Sequence, residues 1–340
     1  MKKVFITVTV AAVMAAVAMS ASACTFNLSG GKGGNGTTYT VYAPDGAPAL
    51  ALASFINEAS SAEADLVYDY DFHVVAASTI TAQVTGETPA ADFCVLPVNI
   101  AANVLGTGES YKMLGTVTNG NMFFLTTGEN PMLTEANLST LVGKTVGVVQ
   151  LQNVPGLTFQ SVLMEKGIPY QILGNDTAIN AEKVNLRAFA DASTVTPAAG
   201  CDYYLCPEPA VSTKLANVPA FKLGGNLQEL HAGGYPQAVL VAKNSVKAAA
   251  IREVMAQFEG SANYLKNAAP AEVLSLLDGA RSPDLTPSFN AANLTVSVIE
   301  NCSVRFTASA ACKAAVNAFL EELIAVNPQF TKTVSDKFYY

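Results

Sequence analysis

The sequence has few of the side chains that commonly hold anions or metal ions. Only 14% of its 340 residues are charged, and only four are arginines, none of them at an obvious strand end. A bidentate arginine clamp on a carboxylate or phosphate therefore lacks a clear donor. The two histidines, His73 and His231, lie far apart in the chain, and no Cys-x-x-Cys pair is present. We therefore expect neither a metal site nor a cofactor.

Basic residues are also fewer than acidic ones, at 19 against 27, which gives a formal net charge of −8. Without residues 1–23 the basic residues fall to 17 and the net charge to −10. This charge argues against nucleic acid as a partner and against polybasic contact with anionic lipid. Half of the residues are hydrophobic, and the chain after residue 23 is long enough for two lobes. No later apolar run reaches the length of a membrane span.

The N-terminus has the composition of an export signal. Two lysines precede an uncharged apolar run over 4–19 that is too short to span a bilayer, and small residues follow at 21–23. We therefore predict a signal peptide over 1–23. Cys24 comes next, as in a bacterial lipobox, so we predict lipid attachment at Cys24; the alternative is ordinary cleavage with no role for this cysteine. Residues 24–37 are rich in Gly, Asn, Ser and Thr and predict a flexible tether.

Five cysteines remain after Cys24, so at least one has no partner within the chain. Cys94 and Cys206 lie in apolar, strand-like runs, which indicates buried thiols that pack as small hydrophobic groups. Cys302 and Cys312 are close enough in sequence to form a disulfide. The sequence leaves that pairing open, because it does not give the distance between the two side chains.

One short pattern occurs twice, as ADFCVLPV at 91–98 and CDYYLCPE at 201–208. Each copy has an aspartate, four mostly apolar residues and a proline, and the copies lie 110 residues apart. Before each copy come a β-rich run, a proline-containing turn, a run with helical periodicity and a second strand, and further strands follow. This alternation predicts two parallel sheets with helices on both faces.

The repetition therefore predicts an α/β fold of two lobes, each a mostly parallel sheet flanked by helices. We place lobe 1 at 38–118 and 236–340 and lobe 2 at 119–235. The glycine-bearing segments 118–121 and 224–235 are the predicted crossings between them, and the mostly helical part after 244 should pack on lobe 1. Ligands of open α/β sheets bind at the carboxyl ends of strands. Pro97 and Pro207 mark two such ends, so we expect a cleft between the lobes.

Several motifs, in this order, resemble those of the solute-binding proteins of ABC importers, in the nitrate/sulfonate/taurine and thiamine-pyrimidine-precursor group. After the lipobox and tether they are VYAPDGAPALAL, ADFCVLPVNIAANVL, LVGKTVGV, CDYYLCPEPA and YPQAVLVAK. The resemblance covers the chain from Thr38 to Tyr340. It implies a type II periplasmic-binding-protein fold, ligand capture by lobe closure and delivery to an ABC permease with its ATPase.

The same resemblance implies a lipid-anchored, extracytoplasmic protein that is not an enzyme, and we expect a monomer. It leaves the ligand open among a sulfonate, a nitrate-like anion, a pyrimidine precursor and other small organic molecules. The scarcity of arginine favours a neutral or weakly charged organic ligand.

Candidate ligand-binding residues fall at the predicted strand ends and crossings. In chain order they are Asp45, Gly46, Ala47, Ser78, Thr79, Val98, Asn99, Asn119, Gln152, Asn153, Val154, Glu208 and Tyr235. Four of them have a structural alternative, because Asp45, Ser78, Thr79 and Glu208 can each cap a helix. An aromatic ring at Tyr235 could stack on a ligand.

Two other functions compete with solute binding. An enzyme on the same two-lobed fold, of the vitamin-biosynthesis type, is the main alternative, but no nucleophile–base pair or histidine occurs at a predicted strand end. A sensory or adhesive ectodomain would normally carry further domains. We predict no catalytic residue.

Overall fold

A computed structural model describes residues 36–231 and 233–340. The predicted signal peptide, Cys24 and most of the predicted tether lie outside these residues. The strands are β1 (Thr38–Pro44), β2 (Asp69–Val75), β3 (Phe93–Pro97), β4 (Tyr111–Thr118), β5 (Met122–Thr127), β6 (Thr145–Val149), β7 (Tyr170–Leu173), β8 (Val184–Phe189), β9 (Tyr203–Pro207), β10 (Phe221–Asn226), β11 (Ala238–Lys243) and β12 (Val304–Ala308).

The α-helices connect and flank these strands. They are α1 (Ala47–Leu50), α2 (Ala53–Ser60), α3 (Val98–Leu105), α4 (Val154–Glu165), α5 (Ala210–Asn217), α6 (Leu227–Leu230), α7 (Ala248–Asn267), α8 (Pro270–Ala280), α9 (Val296–Asn301) and α10 (Ser309–Val326). Short 3₁₀ helices include Ala77–Gln83, Glu135–Leu141 and Asp336–Phe338.

The strands form two six-stranded sheets. Sheet A has the order β12-β4-β11-β3-β1-β2, and sheet B has the order β10-β5-β9-β6-β8-β7. In sheet A, β1 is parallel to β2 and β3, while β11 is antiparallel to β3 and β4. In sheet B, β6 is parallel to β8 and β9, while β5 is antiparallel to β9 and β10. Both sheets are therefore mixed, with the predicted parallel strands grouped on one side of each.

The predicted repetition is confirmed in the strand order. Five positions correspond between the sheets: β4 to β10, β11 to β5, β3 to β9, β1 to β6 and β2 to β8. The repeated strands β3 and β9 each have four consecutive buried residues, as expected for strands covered on both faces. The repeated aspartates have matching contacts. Oδ2 of Asp92 accepts a hydrogen bond from Thr40 N at 3.0 Å, and Oδ2 of Asp202 accepts one from Thr145 N at 2.9 Å.

The chain passes between the sheets twice. The first crossing, 119–121, joins β4 to β5, and the second, 227–237, joins β10 to β11. The second begins later than predicted, because Gly224 and Gly225 belong to β10 and form an irregularity in its pairing with β5. Hydrogen bonds tie the crossings together: Gln237 N donates to Thr118 O at 3.0 Å, and Gln237 Nε2 donates to Asn121 Oδ1 at 3.0 Å.

Gly120 allows this close approach of the two crossings. It has φ 98°, and a Cβ there would lie 2.7 Å from Cγ of Gln228 and 2.9 Å from Cε1 of Tyr235. A larger residue at this position would therefore push the second crossing away from the first.

The hydrophobic core does not divide cleanly between the sheets. One cluster covers a face of sheet A with α2, α7 and α8, as predicted for the helical C-terminal part. A second cluster includes buried residues of both sheets and the inner face of α10. Helix α10 packs against β4 in sheet A and against α4, which follows β6 in sheet B. The expectation that everything after 244 packs on the first lobe is therefore incomplete.

The described cysteines are all free and buried. The predicted buried thiols at Cys94 and Cys206 are confirmed, and burial is the main reason that the pKa of Cys206 rises to about 12. Cys302 and Cys312 are also free, so the disulfide that the sequence left open is not formed. Within residues 36–231 and 233–340, no helix combines the length and apolarity needed to cross a bilayer.

Candidate ligand-binding cleft

A cavity of about 620 Å³ is lined by segments that flank both sheets. One wall comes from α3, which follows β3 of sheet A, together with the C-terminal segment after α10. The opposite wall comes from the turn after β6 and the end of β8, both in sheet B. The lining residues are Asn99, Ile100, Asn103, Gln150, Leu151, Gln152, Asn153, Ala188, Phe189, Ala190, Gln329 and Phe330.

A tight turn shapes the wall on the side of sheet B. Gln150, directly after β6, has φ 55°, a left-handed conformation that is uncommon for a residue other than glycine. Gln150 N donates to Phe189 O at 2.9 Å, and Gln150 O accepts from Asn153 N at 2.9 Å. The ends of β6 and β8 are thereby fixed side by side. Strained backbone of this kind concentrates at functional sites, which is consistent with a binding role for the turn.

Helix α4 begins at this turn and packs against it. Its residues from Val154 to Leu163 are all buried, as in a helix that is covered on every side. A Cβ at Gly156 would lie 2.2 Å from Leu151 O, so only glycine allows the helix to approach the turn so closely. The buried Gln160 donates through Nε2 to Leu151 O at 3.2 Å and to Gly156 O at 3.0 Å. The main chain of Leu151 is therefore rigidly positioned at the cavity wall.

The wall on the side of sheet A presents two asparagines one helical turn apart. Asn99 and Asn103 lie on the same face of α3, as their i, i+4 spacing requires. Their Nδ2 atoms both donate to Phe330 O, at 3.2 and 3.0 Å. Their Oδ1 atoms are buried and have no hydrogen-bond partner among residues 36–231 and 233–340. The C-terminal segment is thus fastened to α3, and two buried acceptors remain free at this wall.

The lining residues have a distinctive chemistry. Six carry carboxamide side chains, two are phenylalanines, and none of the described lining residues has a titratable side chain. Carboxamides offer both donors and acceptors without charge. The cavity can therefore bind a polar, uncharged group through hydrogen bonds while its apolar part contacts the aromatic and aliphatic residues.

Three of the predicted site residues meet at this cavity. Asn99 lies on one wall, and Gln152 and Asn153 lie on the other, although they are distant in sequence. Val98 and Val154 are the neighbouring residues; both are buried at the first positions of α3 and α4. Asn153 also caps α4, since its Oδ1 accepts from Val154 N at 2.9 Å.

The predicted residues that follow β1 and β2 do not line the cavity. Asp45 accepts a hydrogen bond from Ser288 N at 2.6 Å, and Gly46 and Ala47 start the short helix α1. Ser78 and Thr79 lie within the 3₁₀ helix Ala77–Gln83, where Thr79 Oγ1 donates to Ala76 O at 2.9 Å. The side chains of Asp45, Ser78 and Thr79 do not cap the helices that follow β1 and β2, so the capping alternative is not observed there either.

Tyr235 and Asn119 belong to the crossings. The ring of Tyr235 stacks on Phe319 of α10, with centroids 5.7 Å apart, and contacts the ring of His231 edge-on. Protein side chains therefore occupy the ring surface predicted for ligand stacking. Asn119 donates through Nδ2 to Ser303 O and Arg305 O, and its carbonyl accepts from Tyr235 N at 3.3 Å.

Glu208 lies outside the cavity lining and is only 2% exposed. Its carboxylate accepts from Ser212 N at 3.1 Å and from Ser212 Oγ at 2.8 Å, which caps α5. It also accepts from Nδ2 of Asn301 at the end of α9, at 2.8 Å. Burial, with a smaller contribution from the charge of Glu208, raises the pKa of the Cys302 thiol. The carboxylate therefore accepts three hydrogen bonds from the protein and joins the end of β9 to α9.

Sequence reasoning missed several lining residues. Asn103 had a usable signal, because it lies one helical turn after Asn99. The end of β8, at 188–190, is the sheet B counterpart of the end of β2, and it lies just before Ser193 and Thr194, which correspond to the predicted Ser78 and Thr79. Gln329 and Phe330 had no local signal, since their position depends on how the C-terminal segment folds back on α3.

The fold is shared with solved binding proteins. An ABC transporter protein from Parabacteroides distasonis superimposes with a TM-score of 0.68 and 18% identity, over 89% of this chain and 99% of that one. The periplasmic aliphatic sulphonate binding protein SsuA of Escherichia coli gives 0.60 and 13%, over 89% and 92%. The alkanesulfonate-binding SsuA of Xanthomonas axonopodis, bound to MOPS, gives 0.55 and 14%, over 88% and 96%.

No family model matches the chain, and no curated protein matches it significantly. At identities this low the structural likeness shows the fold alone. The predicted two-lobed fold class of periplasmic binding proteins is thereby confirmed.

Proposed function

We propose that this protein is the extracytoplasmic solute-binding component of an ABC importer and captures a small molecule in the cavity described above. The observation that carries the proposal is that this cavity is lined from both sheets, between which the chain passes at two crossings. The fold of the solved ABC-importer binding proteins supports the same conclusion, although fold alone does not determine function.

The proposal includes two lobes, 38–118 with 236–340 and 119–235, that close on the ligand. Rotation about the two crossings would change the distance between Asn99 and the turn at 150–153 and so couple binding to closure. The closed form would then be the one that the permease and its ATPase recognise. The protein would act as a monomer held at the membrane by a lipid on Cys24.

An enzymatic function is less well supported by the cavity. Acid–base catalysis needs a titratable group near the substrate, and covalent catalysis needs a nucleophile beside a base. None of the described residues that line the cavity is a histidine, cysteine, serine, lysine, aspartate or glutamate. The lining is suited to holding a solute rather than to converting it.

Solute binding can be tested with the purified protein and with cells. A thermal-shift screen of small solutes should identify a ligand, which at a hundred times its Kd adds about 2.7 kcal/mol to the unfolding free energy. Small-angle scattering should then show a smaller radius of gyration with that ligand. Cells lacking the gene should lose uptake of the same solute. Chemical conversion of the bound solute, or normal uptake without the gene, would contradict the proposal.

Lipid anchoring is tested separately. Cys24→Ser should release the protein from the membrane fraction or stop its maturation, whereas Cys94→Ser, at a buried thiol, should leave both unchanged. A membrane-bound and normally matured Cys24→Ser variant would show that the anchor is wrong while leaving solute binding intact.

A further inference from the structure

We infer that the cavity selects an uncharged ligand with N–H donors, of the amide or ureide type, rather than an organic or inorganic anion. The inference rests on the proposed function and adds to it the chemical class of the solute. The observations that carry it are the composition of the lining, the absence of a cationic partner among the described lining residues and two buried, unpaired acceptors.

Hydrogen bonding around the cavity is supplied by neutral groups. Six lining side chains are carboxamides: Asn99, Asn103, Gln150, Gln152, Asn153 and Gln329. Arg187, which directly precedes the lining residue Ala188, donates through Nη1 to Ala199 O at 2.7 Å and is therefore engaged elsewhere. A sulfonate or carboxylate placed here would lose its hydration without gaining a cation, which is strongly unfavourable.

The orientation of two of these carboxamides is fixed by the structure. The carbonyl oxygen of Phe330 can only accept, so both side chains that bond to it, those of Asn99 and Asn103, must present nitrogen there. Their oxygens are then the atoms that remain buried and unpaired. A buried acceptor without a partner is costly, and N–H groups on a ligand that displaces the contacts covering it would satisfy it. An anion has only acceptors and would leave both oxygens unpaired.

The remaining lining residues favour an organic body of some size. Phe189 and Phe330 are half-buried, and Ile100 and Leu151 add aliphatic surface between the carboxamides. A flat, apolar ring with an amide at its edge can contact both kinds of surface at once. A small inorganic anion cannot.

Matched probes test the inference directly. Benzamide, benzoate and benzenesulfonate share a ring and differ in charge, as do nicotinamide and nicotinate. At equal millimolar concentrations, the amides should raise the melting temperature and the anions should not. Stabilisation by the anions at equal or lower concentration would overturn the ligand class. So would the absence of any shift with the amides.

Two variants show which groups cause the preference. Asn103→Ala should reduce the preference of the protein for benzamide over N,N-dimethylbenzamide, which lacks N–H donors, by about tenfold. Asn263→Ala, at an exposed position of α7, is the matched control and should leave it unchanged. If Asn103 only fastened the C-terminal segment, both probes would weaken equally, and the inference would be overturned at this residue.

The second variant should gain affinity for anions. Gln152→Arg places a cation on the exposed turn of the lining, so the ratio of the benzoate Kd to the benzamide Kd should fall by about tenfold or more. An unchanged ratio would show that lining charge does not set the selection. If the anions stabilise the protein more than the amides do but uptake still depends on the gene, the ligand class is wrong and the proposed function stands. If no solute binds and uptake is normal, the proposed function itself fails.

Discussion

The two copies of the Asp–strand–Pro pattern hold equivalent positions in their sheets but differ in the residues after the proline. Asp92 and Asp202 each bind the main-chain N–H at or near the start of the neighbouring parallel strand, Thr40 or Thr145. After Pro97 comes Asn99, on the wall of the cavity. After Pro207 comes Glu208, which is buried among protein partners.

The same backbone position in the two copies therefore does not give the same role to the residue that occupies it. At the end of β3 the facing surface is open and forms the cavity. At the end of β9 the side chain of Asn301, the last residue of α9, binds the carboxylate of Glu208. The surrounding elements therefore decide whether a polar residue after the proline can reach a ligand. Four experiments test the difference between the two halves of the protein.

The largest effect is expected for Glu208→Ala. The change leaves Ser212 N, Ser212 Oγ and Asn301 Nδ2 without their shared acceptor in a buried place, which should lower the unfolding free energy by about 3 kcal/mol. Chemical denaturation measures the loss. Glu300→Ala, at an exposed neighbour of Asn301, is the control. A normal unfolding free energy combined with at least tenfold weaker ligand binding would instead make Glu208 a ligand contact.

Asp92→Ala and Asp202→Ala compare the shared part of the two copies. Each removes a carboxylate that accepts a main-chain N–H, so each should lower the unfolding free energy by about 2 kcal/mol. Asp202 also pairs with Lys144 at 3.2 Å, but that partly exposed ion pair should add little. Denaturation of both variants side by side checks the equivalence. A markedly larger loss for one aspartate would show that the two copies are not structurally equivalent.

A smaller effect is expected at the helix starts that follow β1 and β6. Gly156 of α4 corresponds to Ala49 of α1, since each follows the proline of its helix. Gly156→Ala drives a Cβ against Leu151, and the overpacking should outweigh the gain in helix propensity by about 1 kcal/mol. Because Leu151 lines the cavity, ligand affinity should fall too. Ala49→Gly should cost similar stability, with no change in affinity measured by calorimetry.

The smallest effect concerns the second crossing. Burial lowers the pKa of His231, but its hydrogen bonds to Glu322 and Gly234 raise it more, and the net pKa is raised. Both ring nitrogens face acceptors, Gly234 O at 3.2 Å and Glu322 Oε2 at 2.8 Å, which favours the protonated ring.

A raised pKa in the folded state stabilises the protein below the pKa of an unfolded histidine, near 6.5, and this contribution is lost as the pH rises through the folded value. The unfolding free energy of the wild type should therefore fall as the pH rises from about 6 towards 8. The Glu322→Gln variant should show a flatter profile in the same denaturation series. Identical profiles for the two proteins would exclude this ion pair as the source.

Much of the fold could be predicted from the sequence because its signals are local. The spacing from Asp92 to Pro97 recurs from Asp202 to Pro207, and the periodicity around each copy distinguishes strands from helices. Helix α4 follows β6 and a proline-containing turn, in the order that the pattern indicated. The second crossing was placed too early, because glycines mark both bulges and turns and their effect depends on the partner strand.

The binding site was less predictable. Asn99, Gln152 and Asn153 were found because they follow strands that end at the cavity. Tyr235 was misjudged, because the sequence does not show that Phe319, more than 80 residues later, packs on its ring. Phe330 was missed for the same reason, since its carbonyl meets Asn99 only when the C-terminal segment folds back on α3.

Local patterns in the sequence specify the repeated strand order, the ends of the strands and the scarcity of cationic groups near them. These properties follow from hydrophobic periodicity, proline positions and composition, which act over a few residues. Local patterns do not specify that the residues after β3 line a cavity while the carboxylate after β9 is bound by α9. That outcome depends on packing between segments far apart in the chain, where burial and hydrogen-bond pairing determine which polar groups remain free to bind a ligand.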